Sequence, residues 1–263
     1  MNKILVGADP ELFMQDANGA FVSAIGRIGG SKKSPRPLPI GDGFAVQEDN
    51  VAVEYNIPPA DSRDQFVNYI GKAMSFLSDE VSKLGLHFVN VSATSDWSKE
   101  DMARPEAHQF GCDPDFNAWL NGERNPRPKA TDTQLRTCGG HVHVGIKLAN
   151  KQQMLTAVKM MDLFLSVPAC IMDHGELRKQ LYGKAGAYRR KPYGFEYRSL
   201  SNFWALTPEY TGWVFDATQQ AMDALQNNKI NPDDDADLIL SAVNNNDKGA
   251  AYALIEKHNL MVV

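Results

Sequence analysis

Several common features are scarce or missing in this chain of 263 residues. Cysteine is rare: Cys112, Cys138 and Cys170 are an odd number, widely spaced and without a Cys-x-x-Cys pair. That pattern argues against a disulfide framework or a structural zinc site and fits a reducing cytoplasm. No apolar run reaches eighteen residues, which predicts no membrane span. The apolar run at Ile4–Val6 is too short before Asp9 and Glu11 for a signal peptide. Positive charge is not in excess: 27 basic against 32 acidic residues leave a net charge of −5. Nucleic acid is therefore not expected as a standing partner, although a local basic patch stays open. A Walker phosphate loop is missing too. Residues 26–43 hold five Gly and three Pro with Lys32, Lys33 and Arg36, but spell no Gly-x-x-x-x-Gly-Lys-Ser/Thr. They read as a long loop, either solvated or covering a phosphate. No internal repeat, low-complexity tract or linker interrupts the chain, which predicts one domain over 1–263. Oligomeric state is open.

What is present is ordinary for a globular protein, with 43% hydrophobic and 22% charged residues. Residues 3–7 read as a strand entering 8–14, and residues 20–25 return as a hairpin partner after the turn Asp16–Gly19. Residues 44–57 read as a second hairpin turning at Glu48–Asn50. Apolar positions at helical spacing predict a helix over 62–84 with a stop at Gly85, and a strand follows at 86–91. Residues 95–136 read as an elaborated loop region with a short helix near Phe116–Leu120. Thr137–Ile146 reads as a strand and 151–174 as an apolar helix with a break at Pro168. Residues 176–190 look basic and irregular, and lead into a strand at 191–204. Helices are expected at 207–226 and 234–258, the second split near Asn244–Asp247.

Chemistry concentrates where polar residues recur two apart on these strands, because such residues share a face. Glu196 and Arg198 stand side by side, with Phe195 and Tyr197 opposite. The pair is either a surface salt bridge or a site where an acid grips a metal and a guanidinium grips a phosphate. Asp9 and Glu11 are two like charges on one face that repel unless a cation joins them; a solvated strand edge is the alternative. Glu54 sits between Val53 and Tyr55 in a buried-looking strand and needs a partner. Glu48 is a weaker candidate, since turns favour acids. His141 and His143 project together from Gly139-Gly-His-Val-His-Val-Gly145, where the glycines admit a ligand or another backbone. A site dominated by the carboxylates of Asp9, Glu11, Glu54 and Glu196 prefers Mg²⁺ or Mn²⁺ to zinc. With Arg198 beside it, such a site suits a triphosphate.

The order of these motifs resembles the glutamine synthetase and glutamate–cysteine ligase superfamily: Gly7-Ala-Asp-Pro-Glu-Leu-Phe13, an acid-bearing strand, Gly140-His-Val-His143, then Phe195-Glu-Tyr-Arg198. Gln47–Pro59 and Tyr193–Trp204 look like the phage-encoded amidoligases, or COOH–NH2 ligases, and the resemblance runs from about residue 5 to 206. It implies an α+β fold in which a curved antiparallel sheet forms an active-site funnel with helices packed behind it, as in the glutamine synthetase catalytic domain. It further implies ATP with Mg²⁺ or Mn²⁺, a carboxylate substrate activated as an acyl phosphate, and an amine that displaces phosphate. The partners would be small-molecule or peptide acids and amines. By matching motif, Asp9 and Glu11 would hold separate ions, with Glu54, His141 and Glu196 as further ligands. His143 would approach the ATP phosphates and Arg198 would stabilise the transferring phosphoryl group. Arg178, Lys184, Arg189 and Arg190 would hold phosphate or carboxylate, or form a solvated basic segment. Two departures stand out. Asp9 replaces a longer Glu of the relatives, and no separate N-terminal domain completes the site, which leaves the base for the amine unassigned. Two other readings remain at this stage: a metal-dependent hydrolase using His141 and His143, and a catalytically degenerate binding protein.

Overall fold

The computed structural model describes residues 4–108, 115–126 and 133–263. The first stretch forms one long strand, Leu5–Asp16, on which the sheet pivots. Its first half pairs antiparallel with Gly140–Gly145, from Leu5 opposite Gly145 to Pro10 opposite Gly140. Beyond that point Glu11 and Leu12 pair with Ala52–Asn56, and Phe13 to Asp16 pair with Leu86–Val89. Eleven strands of the described residues form one sheet, and each pair of neighbours is antiparallel. From one edge the order is Arg36–Pro37, Ala45–Asp49, Ala52–Asn56, Leu5–Asp16, Gly140–Gly145, Gly194–Tyr197, Ala187–Lys191, Phe116–Asn117 and Glu123–Arg124. The class is α+β, with a large antiparallel sheet and helices.

Alternation along these strands sorts the side chains between two faces. Val6, Ala8, Leu12, Val53, Tyr55, Val142, Val144, Phe195 and Tyr197 point into the main apolar core together with helix residues such as Leu77, Leu155 and Val158. Phe13 and Ala52 point the other way, into a smaller core with Ile25, Trp97, Met102, Ala107 and Cys138. Polar residues on that second face therefore lie under a cover built by the segments around 25 and 97–107. The helix Arg63–Ser82 starts at Ser62, whose side chain accepts from Gln65 N–H, and packs on Pro208–Gln226. The C-terminal helices are split as expected, Ala236–Asn245 from Lys248–His258, by Asn246 at φ +55° and the cap Asp247.

Three expectations are corrected. Phe116–Leu120 is not a helix: Phe116–Asn117 is a strand paired with Ala187–Tyr188, and sheet pairing overrides its apolar pattern. Residues 187–190, read as irregular, belong to the strand Ala187–Lys191, whose Arg189 and Lys191 are held on the face of Glu196 while Arg190 is exposed. Pro168 does not break its helix. The turn before it, Asp162–Ser166, widens to π geometry, with Val167 N–H bonded to the Asp162 carbonyl, so the ring fits where an α-helical turn would clash. The helix Lys151–Met172 is long and apolar enough in composition to cross a membrane, but 83% of its apolar window is buried inside the fold, in keeping with the expectation of no membrane span. Lys159 and Asp162, which interrupt its apolar run, are buried with it.

Candidate active site

Antiparallel partners share a face, so register decides which polar side chains meet. Asp9 lies opposite His141, His143 opposite Glu196, and Glu196 opposite Arg189. Glu11 lies opposite Glu54, which in turn lies opposite Gln47. Six adjacent strands thus present their chemistry on the face away from the helices. Asp9, Glu11, Glu54, His141, Glu196 and Arg198 are all buried there.

The acids divide into two groups. Ligand atoms of Asp9, His141 and Glu196 lie within 4.8 Å of one another, and so do those of Glu11, Asp49 and Glu54. In the first group His141 Nδ1 is 3.3 Å from Asp9 and 3.8 Å from Glu196, while His143 Nε2 is 3.1 Å from Asp9. Tyr193 stacks on His143 and its hydroxyl lies 2.7 Å from Nδ1. Glu196 is met by Arg198 Nη1, by Arg189 Nη1 at 3.1 Å and by Lys191 Nζ at 2.8 Å. Burial works against its ionisation, but the Arg198 guanidinium prevails and holds its pKa down at about 2. Burial also opposes ionisation of Asp9, and the two imidazoles overcome it, holding that carboxyl well below its usual range. Burial pushes His141 down to about 4, which leaves it neutral and fit to bind a metal.

The second group has the opposite electrostatics. Glu11 accepts from Gly139 N–H at 2.7 Å and Glu54 from Gln47 Nε2 at 2.8 Å. Burial, with Asp49 adding repulsion, pushes Glu11 up to about 8. Burial and then Asp9, Asp49 and Glu11 push Glu54 well above its usual range. Such groups are stable as anions only if a cation joins them. Five of the six donors in the two groups are carboxylates, a set suited to hard divalent ions. Asp9 Oδ1, buried and without a well-aligned hydrogen bond, also points into the first group. The residues present therefore fit Mg²⁺ or Mn²⁺.

Three predicted residues stand elsewhere. Glu48 accepts the backbone N–H groups of Gly26, Ile28 and Gly29 at 2.7–3.0 Å and so organises the glycine-rich loop. Register explains it: Glu48 pairs with Val53 and so faces away from Glu54, whereas Asp49 shares the Glu54 face and takes its place. Lys184 is exposed, with Nζ 3.5 Å from the Asn244 carbonyl. Arg190 leans over the Phe116 ring, away from Glu196. Arg178 is buried and donates to the carbonyls of Ser199 and Arg198, bracing the strand end that carries Arg198. Asp49, Asp115 and Lys191 were not singled out by their sequence context. Asp115 lies 3.3 Å from Arg198 Nε and lines a pocket with Glu11, Asp49, Arg136, Arg178 and Arg198. The hydrolase reading gains no further histidine ligand among the described residues, since His258 sits against Asp235 at 2.8 Å and His174 lines a different cleft.

The glycines before the histidines serve close packing. A Cβ on Gly140 would collide with the Ser201 carbonyl and with Trp204 Nε1, which donates to the Gly140 carbonyl at 3.1 Å. Gly140→Ala is expected to cost about 2–3 kcal/mol by overpacking, lowering the melting temperature by roughly 5–10 °C in calorimetry.

No curated protein matches the chain. The histidine strand, Arg178, the Arg189 strand and the Glu196–Arg198 strand all fall within residues 130–247. That segment matches the model of the family described as phage phiEco32-like COOH.NH2 ligase-type 2, the kind of family that the order of its motifs resembles.

Proposed function

We propose that this chain is an ATP-dependent carboxylate–amine ligase, a single catalytic domain with a glutamine synthetase-like funnel and one Mg²⁺ or Mn²⁺ site in each acid group. The observation that carries this reading is the division of six donors, five of them buried and Asp49 half-buried, into two groups of three beside the cations Arg189, Lys191 and Arg198. A carboxylate oxygen of the first substrate attacks the γ-phosphorus and ADP leaves, giving an acyl phosphate. An amine then attacks the acyl carbon, phosphate leaves and the amine loses a proton. Asp9, His141 and Glu196 would hold one ion and Glu11, Asp49 and Glu54 the other. Bound there, the ions would supply charge screening between the triphosphate and the attacking carboxylate. Arg198 stabilises the transferring phosphoryl oxygens, while Arg189, Lys191 and His143 hold the remaining phosphates. Arg198, Arg189 and Lys191 rest on Glu196 and His143 rests on Asp9, so the charges of the first group have counterparts. The test is trapping with hydroxylamine in the presence of ATP, Mg²⁺ and a panel of carboxylates including glutamate and short peptides. Hydroxamate formed only with ATP, matched by ADP, is expected; hydroxamate formed without ATP, or no ADP with any acid, would contradict the reading.

Ion binding should also be linked to protons. Burial pushes the Glu11 carboxyl up to about 8, burial and the neighbouring acids push Glu54 the same way, and a cation bound there would displace their protons. Magnesium affinity should therefore rise with pH from about 5 to 8 and then level off. Titration calorimetry in two buffers of different ionisation enthalpy is expected to show proton release on binding, and equal heats in both would contradict it.

A further inference from the structure

Asp162 is a fully buried acid in the middle of the apolar helix, and the site described above does not use it. Its carboxylate collects four donors from three segments. Oδ2 accepts from Trp119 Nε1 at 2.7 Å and from Gly186 N–H at 2.7 Å. Oδ1 accepts from the Tyr197 hydroxyl at 2.6 Å and from Ser199 Oγ at 3.4 Å. Ser166 Oγ lies 2.6 Å from the same tyrosine oxygen. When Asp162 is ionised the tyrosine gives it its one hydroxyl proton, so Ser166 is the donor in that contact. The chain Ser166 to Tyr197 to Asp162 is thereby fixed in direction.

We propose that Asp162 is a positioning residue that sets, from behind the sheet, the relative placement of the side chains handling phosphate and metal. Each segment it grips carries part of the site. Tyr197 lies between Glu196 and Arg198 on their strand; Gly186 opens the strand of Arg189 and Lys191; Trp119 follows Asp115, the partner of Arg198. The π turn is what aims the acid. The wider turn at Asp162–Ser166 brings Asp162 and Ser166 to the one tyrosine, and such turns recur at functional sites. Burial lifts the carboxyl to about 7 despite its donors, a cost that a purely apolar residue at this helix position would avoid.

The inference rests on the ligase reading for its kinetic consequence but not for its structural one. Two variants test it: Asp162→Asn, which replaces one acceptor oxygen by a competing donor, and Tyr197→Phe, which cuts only the link to the Glu196 strand. In ion-free, ¹⁵N-labelled protein, the Arg198 Nε–H signal and the His141 and His143 ring signals are expected to move in both variants, more in Asp162→Asn. Well below the melting temperature, kcat for ATP consumption should fall about tenfold or more with KM for ATP within about threefold, the loss expected of misplaced groups. A merely structural role would lower the melting temperature and leave both readouts alone. Wild-type side-chain signals and wild-type kcat in the folded variants would overturn the inference. If the wild type consumes no ATP, the ligase reading falls, and the side-chain signals alone then decide for or against the positioning role.

Discussion

Glu196→Gln is expected to remove ATP turnover by about a thousandfold or more, the scale of losing preorganised charge at a phosphoryl transfer site. The substitution keeps the shape and removes the charge on which the local order depends. Arg198, Arg189 and Lys191 all rest on this carboxylate, and His141 lies 3.8 Å from it. Neutralising it would deprive the proposed first ion site of a ligand and leave cations facing one another. Removing one partner of a buried pair costs about 3–5 kcal/mol, and the partial exposure of Arg189 and Lys191 puts this case near the lower end. The pH signature follows from the depressed pKa. A carboxyl held at about 2 when folded contributes stability that is present above its unfolded value and lost as pH falls from about 4.5 towards 2. Wild type should lose that part of its stability in acid, and Glu196→Gln should not. Turnover assays with melting curves across pH measure both; a variant with wild-type turnover would remove Glu196 from the chemistry.

Glu54→Gln should move stability and activity in opposite directions. The Glu54 carboxyl is buried and faces Asp9, Asp49 and Glu11, all of which raise its pKa. The folded state therefore binds its proton more tightly than the unfolded chain, and stability falls as pH rises above about 4.5. A neutral glutamine, which can still accept from Gln47, escapes that cost. In ion-free protein at pH 8 the variant should be more stable by about 1–2 kcal/mol, since neutral replacement of buried charge is often stabilising. Magnesium activation should suffer instead, with the half-activating concentration raised about tenfold or more, as for a lost ligand. Calorimetric melting with and without Mg²⁺, beside an activation curve, checks both signs. A variant destabilised without ions and activated normally by Mg²⁺ would mean that Glu54 is structural.

Much of this site was legible because alternation of side chains survives folding. Asp9 with Glu11, His141 with His143 and Glu196 with Arg198 share a face in the sequence pattern and in the sheet. What the pattern could not give was the register between strands. Glu48 and Asp49 look equivalent as turn acids, yet only the pairing of Asp49 with Ala52 puts it beside Glu54. Lys191 becomes a site residue only because its strand folds back on Glu196, and a basic stretch bearing Arg189, Arg190 and Lys191 looks like solvated chain until that pairing is known. Asp162 left a readable signal, a single acid inside an apolar helical run. Its meaning depends on Tyr197 and Gly186, which are distant in sequence. The strand at Phe116 was hidden for the same reason: two residues suffice to pair with Tyr188, too few to show a period of two.

The account turns on a nucleotide and divalent ions sharing these buried acids. Titration calorimetry of a non-hydrolysable ATP analogue, with and without Mg²⁺, into wild type and Glu196→Gln tests that directly. Binding that requires Mg²⁺ and is lost in Glu196→Gln is the predicted result. Nucleotide binding indifferent to Mg²⁺ and to Glu196, or no nucleotide binding beside tight zinc binding, would contradict it.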